Sequence, residues 1–226
     1  FPLDKIAFDE KVRYVGDEVA AVAAVSEKVA EEALKLIKVD YEELPTVFDV
    51  EETIKPSAPL IHEDRAKNIA APIIMKSGDV EAGFREADCV IEETFRTQSQ
   101  RQAPMETHCC VASFDMAGNL TIWVSHQAPF TLQELLAEYL GISESKVRVI
   151  KPYLGGGFGN KLDMLIEHIC ALLSRMAGRP VKMVLDRQEV FSATVTRHAA
   201  VIRLKIGAKK DGTLTAVQAY TLTDEG

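Results

Sequence analysis

Four of the thirteen glycines in this 226-residue chain fall within the run Gly155-Gly156-Gly157-Phe158-Gly159. The run lies between a strand-like segment, residues 146–150, and an apolar helical stripe made by Leu165, Ile169, Leu172, Leu173 and Met176. Glycine admits positive φ and carries no Cβ, so backbone N–H groups in such a loop can come close to a ligand. A helix following the loop presents unpaired N–H groups and the positive end of its dipole. An anion or an electron-rich oxygen is therefore expected at this loop. The alternative is a tight turn that allows close helix packing. The run is not a Walker A loop, because Lys161 is followed by Leu162 rather than Ser or Thr. It is not a dinucleotide fingerprint either, because Gly155, Gly157 and Asn160 break the GxGxxG spacing.

Around this loop the chain alternates strand and helix signals. Residues 12–15, 18–25 and 38–41 read as strands, with Ser26 capping a helix to about residue 37. A Pro-containing stretch with little periodicity, residues 56–76, reads as a linker. Beyond it, Asp79 caps a short helix through Glu86, and residues 89–97, 106–115 and 120–125 read as strands, the last two as a hairpin. Pro129 opens a helix closed by Gly141, and the helix after the glycine run stops at Gly178. Residues 181–185 read as a strand, and residues 197–207 and 213–222 as a hairpin around Lys210-Asp211-Gly212.

Charge narrows the partners. Hydrophobic residues make up 47% of the chain and charged ones 27%, which is globular composition. The net charge of -8 argues against nucleic acid as a ligand. The charge is unevenly spread: residues 1–145 hold 13 Lys and Arg against 27 Asp and Glu, and residues 146–226 hold 13 against 7. The basic second part suits either an anionic ligand or an acidic protein surface. No apolar run approaches the roughly 18 residues of a membrane span. Residues 1–10 lack a signal-peptide pattern. The chain has no initiator Met and stops just after a strand-like run, so a piece of a longer polypeptide is expected. Cys89, Cys109, Cys110 and Cys170 form no CxxC pair, which points to free thiols in the cytoplasm rather than zinc or iron–sulfur ligation.

The run GGGFGNK, preceded by Tyr153-Leu154, resembles the signature of the molybdenum-binding subunit of the xanthine dehydrogenase family, which includes aldehyde oxidases and carbon monoxide dehydrogenases. The segment Gln100-Arg101-Gln102-Ala103-Pro104-Met105-Glu106-Thr107-His108-Cys109 resembles the family's Gln-containing stretch leading into its "ETH" strand. Residues 11–20 and 39–45 resemble the back half of its α/β hammerhead domain, and Gly178-Arg179-Pro180-Val181-Lys182 and Asp186-Arg187 match in order and spacing.

The resemblance implies an α+β chain: the end of an α/β hammerhead-like domain over residues 1–55, the linker over 56–76, and the N-terminal part of a mixed α/β molybdopterin-binding domain over 77–226. It implies a pterin-bound molybdenum centre, with iron–sulfur clusters and FAD on partner domains or subunits. The reaction would insert water-derived oxygen into a C–H bond of an aldehyde or N-heterocycle, or oxidise carbon monoxide. Gln100 matches the glutamine beside the metal's oxygen ligands, Phe158 the residue whose N–H approaches an oxo group, and Gly156, Gly157 and Gly159 the neighbouring glycines. No direct protein ligand to the metal is implied, and the catalytic base is expected outside these residues. Leu162 stands where purine-oxidising members carry Glu, which argues against a xanthine-like pocket. Glu106 is expected to be structural and Glu167 solvated. The contrasting possibilities are a non-catalytic interaction module, or a split subunit keeping the fold without molybdenum.

Overall fold

The computed structural model describes residues 8–224. Its helices are α1 (Glu27–Leu34), α2 (Val50–Thr53), α3 (Val80–Arg85), α4 (Pro129–Leu140), α5 (Glu167–Ala177) and α6 (Arg187–Ala193). Its strands are β1 (Cys89–Thr97), β2 (Cys109–Phe114), β3 (Leu120–Val124), β4 (Val147–Ile150), β5 (Val181–Val184), β6 (Ala199–Ala208) and β7 (Leu214–Asp224). They form two compact units, each built from two separate stretches of chain: among the described residues, 8–40 with 101–196, and 41–100 with 197–224. The mixed α/β character expected from the alternating signals is present in both sheets and their helices.

The first unit carries a four-stranded sheet in the order β4-β3-β2-β5. The hairpin β2–β3 is antiparallel, and its turn is held by Asp115, whose carboxylate accepts from the N–H groups of Ala117 and Asn119. β3 and β4 are parallel, as a strand–helix–strand crossover through α4 requires. Alternate residues of β2 and β3 (Cys110, Ala112, Leu120, Ile122 and Val124) are buried, so one face of the sheet is apolar. Leu132 and Leu136 of α4 and Cys170 and Ala171 of α5 pack on it. Pro129 at the first turn of α4 and Gly141 at φ +65° past its end bound that helix as its sequence predicts. α6 opens with a reciprocal cap: Asp186 accepts from the Glu189 N–H, and Glu189 from the Asp186 N–H.

The second unit is a three-stranded antiparallel sheet, β1-β6-β7, with α3 packed on it. Gly83 lets α3 sit close, since a Cβ there would lie 2.3 Å from the Thr215 carbonyl oxygen. Glu51 of α2 pairs with Arg96 of β1 and Arg203 of β6.

Three expectations fail. No strand forms over residues 12–15, 18–25 or 38–41. Alternation makes a segment able to pair, but a strand exists only with a partner, and none among the described residues pairs with these segments. The helix after the glycine run does not start at the loop. Residues 161–166 intervene as turns and bends because Met164, Leu165 and Ile166 are drawn into the core. Glu167 is not solvated but only 2% exposed, and its carboxylate accepts from the N–H groups of Leu165 and Ile166 at 2.8 and 3.0 Å. That carboxylate thus takes the two N–H groups that immediately precede α5.

Candidate functional site

The glycine loop belongs to the first unit. It leaves β4 through residues 151–154 and makes sharp reversals at Gly156 (φ +95°) and Gly159 (φ +92°), in the region that favours glycine. Phe158 adopts φ +55° despite its side chain, and the residue is 75% exposed. A non-glycine residue in this region costs of order 1 kcal/mol or more and persists only where its surroundings fix it.

Those surroundings can be named. On one side, Glu106 Oε2 accepts from the Gly155 N–H at 3.0 Å, while the Glu106 N–H donates to the Gly155 carbonyl at 3.3 Å. The same carboxylate oxygen holds the Lys161 ammonium at 2.7 Å, and Lys161 is fully buried. On the other side, Gln127 Oε1 accepts from the Gly159 N–H at 2.9 Å and the Lys161 N–H at 3.3 Å. The Gln127 N–H donates to the Lys161 carbonyl at 2.7 Å. Beneath the loop, buried Asn160 donates through Nδ2 to Gln102 Oε1, Thr194 Oγ1 and the Val195 carbonyl at 3.0, 3.1 and 3.3 Å. His108 Nε2 donates to the Asn160 carbonyl at 2.9 Å.

This framework occupies the N–H groups at both ends of the loop. Between them, the N–H groups of Gly156, Gly157 and Phe158 have no acceptor among the described residues. Successive unpaired N–H groups form a concavity that favours anions and electron-rich oxygens. Gly157 is also required by space, since a Cβ there would lie 2.2 Å from Gln127 Oε1. These residues suit a pterin-bound oxo-metal group, which needs close backbone approach and donors aimed at oxygen.

Electrostatics follow from burial. Partial burial would raise the Glu106 carboxyl, but the Lys161 ammonium and Gly155 N–H outweigh it and hold the group below its ordinary value. Burial pushes the His108 imidazole down, against the bond to Asn160, which raises it. His108 Nδ1, His126 Nε2 and Asn160 Oδ1 are buried without a partner among the described residues. His126, at the end of β3, is completely buried, and its Nδ1 accepts from the Ala128 N–H at 3.1 Å.

Gln100 belongs to the second unit. Its backbone bridges Arg197, donating at 3.1 Å and accepting at 2.8 Å, and its exposed side chain has no hydrogen bond among the described residues. The four cysteines are free thiols. No helix among the described residues is long and apolar enough to cross a membrane. Three residues that hold the loop, Gln127, Lys161 and Gln102, have no role in the sequence reading. The available signal was the polar pair His126-Gln127 at a strand end, a place where ligand-supporting groups collect.

Comparison with known proteins gives one consistent answer. Residues 61–226 match the family described as "Molybdopterin cofactor-binding domain", and residues 3–45 match "Aldehyde oxidase and xanthine dehydrogenase, a/b hammerhead domain". The chain is 40% identical over 252 residues to the Escherichia coli K12 protein named "Probable hypoxanthine oxidase XdhD", covering 96% of the chain and 26% of that protein. It is 39% identical over 218 residues to the nicotinate dehydrogenase large molybdopterin subunit of Eubacterium barkeri, covering 96% of the chain and 51% of that protein. Its fold matches the CO dehydrogenase from Oligotropha carboxidovorans with a TM-score of 0.77 and 33% identity, over 86% of the chain and 26% of that structure. The chain thus spans between a quarter and about half the length of these relatives.

Proposed function

Because this chain belongs to the molybdopterin cofactor-binding domain family, we propose that it builds one wall of the molybdenum site of an oxidoreductase. The observation that carries the reading is the set of unpaired N–H groups at Gly156, Gly157 and Phe158, flanked by N–H groups that a buried polar framework holds. The bound molybdenum–pterin group supplies a Lewis-acidic, redox-active metal able to accept electrons while oxygen from water is added to the substrate. The loop backbone over Gly156, Gly157, Phe158 and Gly159 would border that group. The N–H groups of Gly156, Gly157 and Phe158 would donate to oxygen atoms of that group.

The substrate class is an aldehyde or N-heterocycle C–H bond, or carbon monoxide. The names of the relatives span a purine, a pyridine carboxylate and carbon monoxide, so similarity supports the class rather than one compound. The reaction would need a positioned base, and residues outside 1–226 would supply it. Iron–sulfur and flavin domains or subunits take the electrons onward. The four free thiols fit a reducing, cytoplasmic setting.

The test is the molybdenum content, by mass spectrometry, of the native complex containing this sequence. About one metal per chain is expected, by the cofactor stoichiometry of a single site. An intact complex without molybdenum would refute the proposal in favour of an interaction module that keeps only the fold.

A further inference from the structure

Glu106 stands three residues before β2, outside the sheet, yet it makes two of the bonds that shape the glycine loop. Its Oε2 accepts from the Gly155 N–H at 3.0 Å and from the Lys161 ammonium at 2.7 Å. Gly155 is pressed flush against it, since a Cβ on Gly155 would lie 2.6 Å from the Glu106 Cβ. Lys161 is completely buried, and among the described residues its ammonium has no other acceptor. A buried ammonium without its anion is costly, so Lys161 keeps the carboxylate in one rotamer. That rotamer consumes the first N–H of the loop, as Gln127 consumes those of Gly159 and Lys161. What remains unpaired among the described residues is the middle set, Gly156, Gly157 and Phe158.

We propose that Glu106 is a positioning residue: its carboxylate, pinned by buried Lys161, fixes the glycine loop so that the N–H groups of Gly156, Gly157 and Phe158 point out together toward a bound ligand. Glu106 acts through the loop and touches no reacting atom. The ligand's identity rests on the proposed function, but the loop geometry does not.

Two double variants in the native protein containing this sequence separate positioning from mere stability. Glu106→Gln with Lys161→Met removes both charges but keeps an oxygen acceptor for the Gly155 N–H. Glu106→Leu with Lys161→Met removes the charges and the acceptor. Neither leaves a buried ion unpaired, so both should melt at similar temperatures. Hydrogen exchange is read on the peptide spanning residues 153–161, and molybdenum retention is read by metal analysis after dialysis. In the Leu pair the loop should exchange roughly tenfold faster than in the Gln pair, the effect of losing one hydrogen bond. The Leu pair should also lose molybdenum faster. Equal loop exchange and equal metal retention in the two pairs would overturn the proposal. Should the Leu pair fail to fold, Glu106→Ser with Lys161→Met replaces it, since serine is too short to reach Gly155. Parent protein without molybdenum would refute the proposed function, while the exchange comparison would still decide the positioning role.

Discussion

Alanine at position 157 tests the loop framework most directly. Its Cβ would lie 2.2 Å from Gln127 Oε1, 2.5 Å from Cδ and 2.8 Å from Cγ. Every close atom belongs to one side chain, and the backbone at Gly157 does not lie in the left-handed region, so alanine carries no conformational penalty of its own there. The Gln127 amide must swing away. In moving, it abandons the N–H groups of Gly159 at 2.9 Å and Lys161 at 3.3 Å. One bond of normal length and one long one, each leaving a donor poorly satisfied, should cost about 2–3 kcal/mol together. Gln127→Ala removes the same acceptor and should cost about as much. In that background Gly157→Ala has nothing left to displace, so the double variant should be no worse than either single one. The coupling energy is then about 2 kcal/mol in favour of the double variant. Native-state hydrogen exchange of the slowest amides in β2 and β3, which report opening of the first unit, measures all three. Costs that add to within about 0.5 kcal/mol would show that Gly157 is required for some reason other than Gln127.

The ion pair, the buried histidine and the cap of α6 give further expectations. Glu106→Ala strands the Lys161 ammonium, which is 0% exposed, and should cost about 3 kcal/mol in the same exchange measurement; the low end of the range applies because Glu106 is 31% exposed. Burial holds His108 below 6.5, so the unfolded chain takes up that proton first; its contribution to stability is complete above pH 6.5 and is lost as pH falls below it. Glu106, held below 4.5, adds a second loss when pH falls below that value. A plot of melting temperature against pH should therefore decline in two stages, and His108→Gln should flatten the first; an unchanged slope would refute the assignment. Asp186→Ala removes the acceptor for the Glu189 N–H at 2.7 Å and should cost about 1 kcal/mol, read as faster exchange in α6.

Elements whose signals are local were legible in the sequence. Asp79 caps α3, Pro129 and Gly141 bound α4, Gly178 at φ +60° ends α5, and β1 runs over Cys89–Thr97. A cap, a fixed φ or a missing Cβ acts within one turn of chain, so neighbouring residues suffice to read it. The glycine run was legible for the same reason, and its motif carried the family. What the sequence could not decide depends on partners far along the chain. Residues 12–15, 18–25 and 38–41 read as strands but have no strand to pair with among the described residues. The start of α5 at Glu167 was set by Met164, Leu165 and Ile166 entering the core. Lys161 looks like a surface cation until Glu106, 55 residues away, neutralises it in the interior. Gln127 becomes a strut only when folding places it 32 residues across from Gly159. A sequence specifies which backbone can bend and where a helix can stop. Which polar groups are buried, and which donors are left for a ligand, follows only once distant segments have claimed each other's hydrogen bonds.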